Sequence, residues 1–202
     1  MTGRGAALSP VAATCIALLT LATVVVGARA IALHTGSTGP LVVPRPTTAI
    51  VVDGAWHERD WNDTALTGQL VGDDGGPARP FSQARLMVDD SRLLIGLYAA
   101  DVDVRSTDHF EVTVAGRTLQ FDPLGHITPP VEGGVALVDL DGIIDDPKSD
   151  DEEWVVEAGI PLASLDLSTG ASDVPIAVAR CDTPRDGKQR CGAWSATVTL
   201  GR

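Results

Sequence analysis

Any chemistry this 202-residue chain performs has to come from carboxylates, tryptophans or two cysteines near its end, because other reactive groups are sparse. Two groups of aspartates offer hard oxygen ligands of the kind calcium takes: Asp101, Asp103 and Asp108, and then Asp145, Asp146, Asp150 and Asp151. Neither follows the helix-flanked twelve-residue calcium loop, and a solvated acidic loop is the plainer expectation for both. The histidines, His34, His57, His109 and His126, fall in no zinc spacing such as H-E-x-x-H. No nucleophile elbow, phosphate loop or Ser/His/Asp motif occurs, so no catalytic residue and no enzyme activity are expected. Glu157 and Arg180 are charges inside otherwise apolar strands, and a partly buried ion pair between them is the expected arrangement. An indole gives the flat face that a pyranose ring needs, with charged or amide groups at its rim for the hydroxyls. Trp61 and Trp154 are expected in the core, whereas for Trp56 and Trp194 a core role and a ligand role are equally open.

Cys181 and Cys191 flank a Pro-, Asp- and Gly-rich loop, CDTPRDGKQRC, between the strand-like runs Val174 to Arg180 and Ala193 to Leu200. The loop holds no His or further Cys for a metal, so a disulfide closing a long hairpin is expected in an oxidising compartment. The N-terminus points to that compartment. Arg4 precedes an apolar run from Val11 to Val26, and Ala28-Arg29-Ala30 has the A-x-A form that signal peptidase reads. Val11 to Leu33 is also long enough to span a bilayer with some tilt, which makes an uncleaved anchor the preferred reading and a cleaved signal its alternative. Cys15 lies inside this run and reads as a membrane-buried thiol. Residues 1–33 are therefore a signal peptide or transmembrane anchor helix, and either places the remainder of the chain outside the cytoplasm, secreted or membrane-anchored. Residues 34–48, HTGSTGPLVVPRPTT, have the composition of a flexible linker. Net charge is −12, and 13 basic residues against 27 acidic ones remain after residue 30. That balance excludes nucleic acid as a partner and leaves the N-terminal helix as the membrane contact.

The elements that must position these groups are strands. Trp154, Val156, Ala158 and Ile160 alternate along one face of a strand, with Glu157 on the other. Pro161 ends it, and Leu162 to Leu165 fits one helical turn. Ser82 to Val88 and Arg92 to Ala100 form a hairpin, and the near-continuous apolar run RLLIGLYAA belongs in the middle of a covered sheet. His109 to Ala115 and Arg117 to Phe121 form a second hairpin, with Phe110, Val112 and Val114 on one face. Short strands are further expected at Ile50 to Val52, Leu66 to Val71 and Val135 to Leu140. About nine to ten strands and no long amphipathic helix predict an all-β fold, an antiparallel β-sandwich over residues 49–202.

In this order the residues resemble the family 9 carbohydrate-binding modules and the wider DOMON-like sandwich superfamily. The matching features are Val52-Asp53-Gly54, Trp61, Leu94 to Tyr98 with Asp101, Asp108 with Phe110-Glu111-Val112, Trp154 to Glu157 with Ile160-Pro161, Arg180 and Trp194. The resemblance implies a non-catalytic sandwich that in some members binds sugar chain ends between two aromatic rings and carries structural calcium. The place of the first ring is held by Val104-Arg105-Ser106, so Trp194 is the one ring the resemblance supplies. Glu111, Gln120 and Asp122 are similar in position to the polar contacts. It implies a polysaccharide or oligosaccharide partner at the cell envelope. The alternative is a structural or protein-interaction domain that has lost the sugar site. A haem-binding DOMON-type domain, using Met87 with His109 or His126, stands behind both. No cofactor beyond structural calcium is implied.

Overall fold

The computed structural model describes residues 41–185 and 187–202. The expected signal or anchor, and the first residues of the expected linker, lie outside the described residues. Among those described, no helix is long and apolar enough to cross a membrane.

Among the described residues, twelve strands build two sheets. The first four are β1 Leu41–Val43, β2 Ala65–Leu66, β3 Val71–Gly72 and β4 Ser82–Val88. Then come β5 Arg92–Ala100, β6 His109–Val114, β7 Arg117–Phe121 and β8 Ile127–Thr128. The last four are β9 Val135–Asp141, β10 Glu153–Pro161, β11 Val174–Asp182 and β12 Arg190–Leu200. One sheet runs β2-β4-β5-β10-β9. The other runs β1-β12-β11-β6-β7-β8, with β3 also on β12. The expected sandwich is found, with more strands than the nine to ten expected because the short β1, β2, β3 and β8 close its edges.

Period-two patterning determines what is inside. Trp154, Val156, Ala158 and Ile160 are fully buried, as are Phe110, Val112 and Val114 opposite them. The Phe110 ring lies 5.2 Å from that of Trp154, a tilted contact across the two sheets. Strand β5 is central, between β4 and β10, and apolar on both faces because both are covered. Leu93, Ile95 and Leu97 face the main core. Leu94 belongs to a second cluster with Ile50, Trp61 and Met87, formed where residues 44–64 lie over the outer face of the five-stranded sheet. Gly96 admits this cover: a Cβ there would come within 2.7 Å of the Trp56 indole.

Two carboxylates hold the covering segment down. Asp60 accepts the backbone N–H groups of Thr47 (2.8 Å) and Thr48 (3.2 Å) together with both hydroxyls. The Thr47 and then the Thr48 hydroxyl hold its carboxyl at about 2, well below the usual carboxylate range. Glu157, fully buried, accepts the N–H groups of Asp53 (2.8 Å) and Gly54 (3.1 Å) on one oxygen and the Trp61 indole N–H (3.0 Å) on the other. The expected Glu157–Arg180 pair is therefore absent. Glu157 faces the outside of the five-stranded sheet, while Arg180 alternates with the buried Val178 and Ile176 and faces between the sheets.

Two further expectations change. Ile50 to Val52 is not a strand; it is part of the cover. The sandwich also begins by Leu41 and not at Ala49: β1, inside the expected linker, pairs in parallel with Val198 to Leu200 and buries Val43 completely. The disulfide is present, joining Cys181 to Cys191 directly across β11 and β12.

Glu157→Gln tests the anchoring. An amide cannot accept on both sides, so its NH2 must face either the indole or the turn and leave buried donors unpaired. The expected loss is about 1–3 kcal/mol in urea unfolding, and a variant as stable as the parent would count against the carboxylate as the anchor.

Candidate functional site

Strand register puts one row of side chains on the outer face of the seven-stranded sheet: Ala193, Ala179, Glu111, Gln120 and Thr128 face one another across successive strands. Asp122, two residues after Gln120, continues the row on the same face. Glu111, Gln120 and Asp122 thus share one face of the sheet. The Asp122 carboxylate accepts the N–H groups of Leu124 and His126 (2.9 Å each) and, on its other oxygen, the His126 Nδ1–H (2.8 Å). The His109 Nδ1–H donates to the Thr107 carbonyl at 2.9 Å, and its Nε2 lies 3.9 Å from the Glu111 carboxylate. Between these groups lies an open pocket of about 210 Å³. Gln120, Asp122 and the two imidazoles line it with Ser106, Thr107 and Thr128.

Trp194 does not join them. It is in register with Val178, so it points to the opposite side of the sheet, where it packs half-buried against the core. Glu111 is in register with Ala179 and hence with Ala193, the neighbour of Trp194 in sequence, and adjacent strand residues face opposite ways. Trp56 lies on the other sheet, stacked on Trp61 at 5.8 Å with the Arg85 guanidinium 5.0 Å from its ring centre. Met87 is in the outer cluster of the five-stranded sheet, across the whole sandwich from His109 and His126. A haem held between Met87 and either histidine is geometrically excluded. Sequence reasoning missed the pocket's imidazoles, although the four-residue spacing of Asp122 and His126 is that of a tight side-chain-capped turn.

A second cluster of polar groups lies between the sheets at one end. Asp101 follows β5, Asp108 precedes β6 and Asp182 ends β11; all are at most 4% exposed, and their carboxylate oxygens lie within 4.8 Å of one another. Arg180, 3% exposed, donates to Asp101 and, at 3.2 Å, to Asp182. Asp108 accepts the N–H groups of Thr183 (2.7 Å) and Arg105 (2.8 Å). Asp103 binds Arg105 and Arg185, and Asp151 accepts the N–H groups of Val104 and Ile143. Asp101, Asp103, Asp108 and Asp151 are thus buried structural groups, not parts of the solvated loops expected for them. Burial raises the Asp182 carboxyl to about 6 and pushes Asp108 up as well. Sequence reasoning also missed Asp182, though it alternates with the core-facing Arg180.

With this geometry established, the known structures can be compared. No protein-family model matches the chain, and no curated protein does. A family 9 carbohydrate-binding module from Caldicellulosiruptor kristjanssonii, solved in complex with cellotriose, is similar at 14% identity, with 80% of this chain and 94% of that one covered and a TM-score of 0.61. The fold is that of the family 9 modules. A glucose complex from the same organism gives 14% identity, 80% and 96% coverage and a TM-score of 0.60. A structure from Bacteroides uniformis gives 13% identity, 79% and 97% coverage and 0.56. The DOMON-like half of the resemblance gains no support from these three.

The structural calcium that the resemblance implies finds one fitting donor set among the described residues. Asp101, Asp108 and Asp182 are the residues that would hold it, since carboxylate oxygens are its natural ligands. Three buried carboxylates against one guanidinium also leave negative charge that a divalent cation would balance. Two linked results are expected. In chelator, stability should rise as pH falls through about 6 towards 4, because Asp182 takes up its proton in the folded chain well before it does when unfolded. It should fall again below about 4, as Asp60 loses the charge its threonines hold. Calcium should raise the melting temperature at neutral pH and flatten the first slope. A melting temperature indifferent to calcium and chelator alike would remove the cation.

Proposed function

We propose that this chain is a non-catalytic carbohydrate-binding module acting outside the cytoplasm and held at the cell envelope by its N-terminal segment. Its glycan sits on the open face of the seven-stranded sheet, against Glu111, Gln120 and Asp122. One observation supports this most directly: Gln120 and Asp122 border one pocket lined by amide, carboxylate, imidazole and hydroxyl groups, and Glu111 lies beside Gln120 on the same face. Such groups can match the donors and acceptors of sugar hydroxyls. The pocket's volume is small beside the ~300–1,000 Å³ common for drug-sized ligands. A sugar ring or chain end fits that volume better than a long run of polymer.

The missing ring sets the strength. With Trp194 turned to the core, no aromatic face stacks on the sugar, and hydrogen bonds exchanged with water supply the affinity. Dissociation constants near ~1 mM are the expectation. The same orientation of Trp194 favours the second reading, a structural or protein-interaction sandwich whose sugar site is lost.

Titration of the labelled protein with glucose, cello-oligosaccharides and xylan fragments, monitored by NMR, separates the two. Binding should move the resonances of His109, Gln120 and His126, and Glu111→Ala with Gln120→Ala should weaken it about tenfold, roughly 1.4 kcal/mol. Trp194→Phe should leave affinity nearly unchanged. No shift at tens of millimolar sugar would leave the interaction reading in its place.

A further inference from the structure

The edges of the sandwich are unequal. β2 and β8 have two residues each and β1 has three, and short edge strands of this kind discourage pairing with another chain. β9 is the exception: it has seven residues, borders the five-stranded sheet and pairs only with β10 among the described strands. It contains no Pro and no Lys, the usual guards of an exposed edge, and no residue of positive φ that would bulge it. Ala136, Val138 and Leu140 pack inward against the core. Val135 and Leu137, 43% and 45% exposed, stand on the outer face beside the exposed Asp139 and Asp141.

Charge decides what can lie along this edge. Residues 132–153 contain nine acidic residues and one Lys, a net −8 of the chain's −12. Antiparallel pairing of two β9 strands would bring together two such segments, and like charges facing each other across strands are destabilising. A strand carrying its cations on the outer face, beside Asp139 and Asp141, meets no such penalty, and its alternate apolar residues would extend the inward row of Ala136, Val138 and Leu140.

We infer that β9 is a docking edge for an extended segment of a partner protein in which basic and apolar residues alternate. The partner adds a strand to the five-stranded sheet, with main-chain hydrogen bonds giving affinity and the aspartates selecting its charge. This surface is on the other sheet from the glycan pocket, and it stands whether or not sugar binds.

The test uses the full chain and a synthetic peptide of alternating Lys and Val as long as β9, with alternating Glu and Val as the control. Fluorescence anisotropy at low salt should show binding of the first and not the second, weakening as salt screens the charges. Hydrogen exchange at Ala136 to Leu140 should slow when the Lys–Val peptide is added. Asp139→Lys with Asp141→Lys should cut affinity about tenfold or more, whereas Asp63→Lys with Asp173→Lys, the same charge change on exposed sites elsewhere, should alter it by less than about twofold. Equal loss in both pairs, binding without protection of β9, no binding at all, or concentration-dependent dimers that the β9 reversal alters would each overturn the proposal.

Discussion

A single guanidinium ties the two sheets together at one end of this sandwich. Arg180, on the seven-stranded sheet, reaches Asp101 at the end of β5 and Asp182 on its own strand, all three withdrawn from water. Charges in such a place persist only when they are paired and hydrogen-bonded, because their desolvation costs several kcal/mol each. The demand propagates outward. Asp108 beside them takes the N–H groups of Arg105 and Thr183, which fixes the loop before β6 and the start of the disulfide-closed hairpin. Asp103 then holds Arg105 and Arg185, and Asp151 caps the chain at Val104 and Ile143. The order of three loops at this end results from satisfying one buried cluster.

The opposite problem, a covered outer face, is solved on the five-stranded sheet by Glu157 and Asp60. Each carboxylate replaces water for several N–H donors of a segment whose regular hydrogen-bonding is confined to the short 3-10 turn Arg59–Asp63. That segment turns one side of the sandwich into a third layer, with Trp56 and Trp61 stacked over Gly96 and Leu94. Among the described residues, the seven-stranded sheet has no such cover. Its outer face, with Ala177, Ala179, Ala193 and Ser195 beside the polar row, remains the open side, and there the pocket is found.

Much of this was legible in the chain because period-two alternation is a local signal. The run from Trp154 to Ile160 and the two hairpins come from it, and so does the position of β5, whose unbroken apolar character requires cover on both faces. The same signal, carried further, would have separated Glu157 from Arg180. Val174, Ile176, Val178 and Arg180 fall on one face, and Glu157 falls opposite Trp154. It would also have turned Trp194 inward, since Trp194, Ala196, Val198 and Leu200 form one row. Strand parity, and not likeness to a ring-bearing site, determines which way the Trp194 ring points. What alternation does not contain is pairing between distant segments. Leu41–Val43 looks like part of a Pro- and Gly-rich tether because its partner, Val198 to Leu200, is at the far end of the chain.

The distribution of charge then separates the surfaces by what they can accept. Among the acids outside the buried cluster, those of β9 and the loop after it form the densest run, and Val135 and Leu137 share the outer face of that strand. The pocket on the opposite sheet faces its ligand with carboxylates already engaged by histidine or turn N–H groups, a surface suited to neutral hydroxyls more than to cations. An edge bearing the exposed carboxylates of Asp139 and Asp141 and an open face with largely satisfied ones select different partners, by Coulomb attraction in the first case and hydrogen-bond matching in the second. Two antiparallel sheets thereby give one small body two chemically distinct sides.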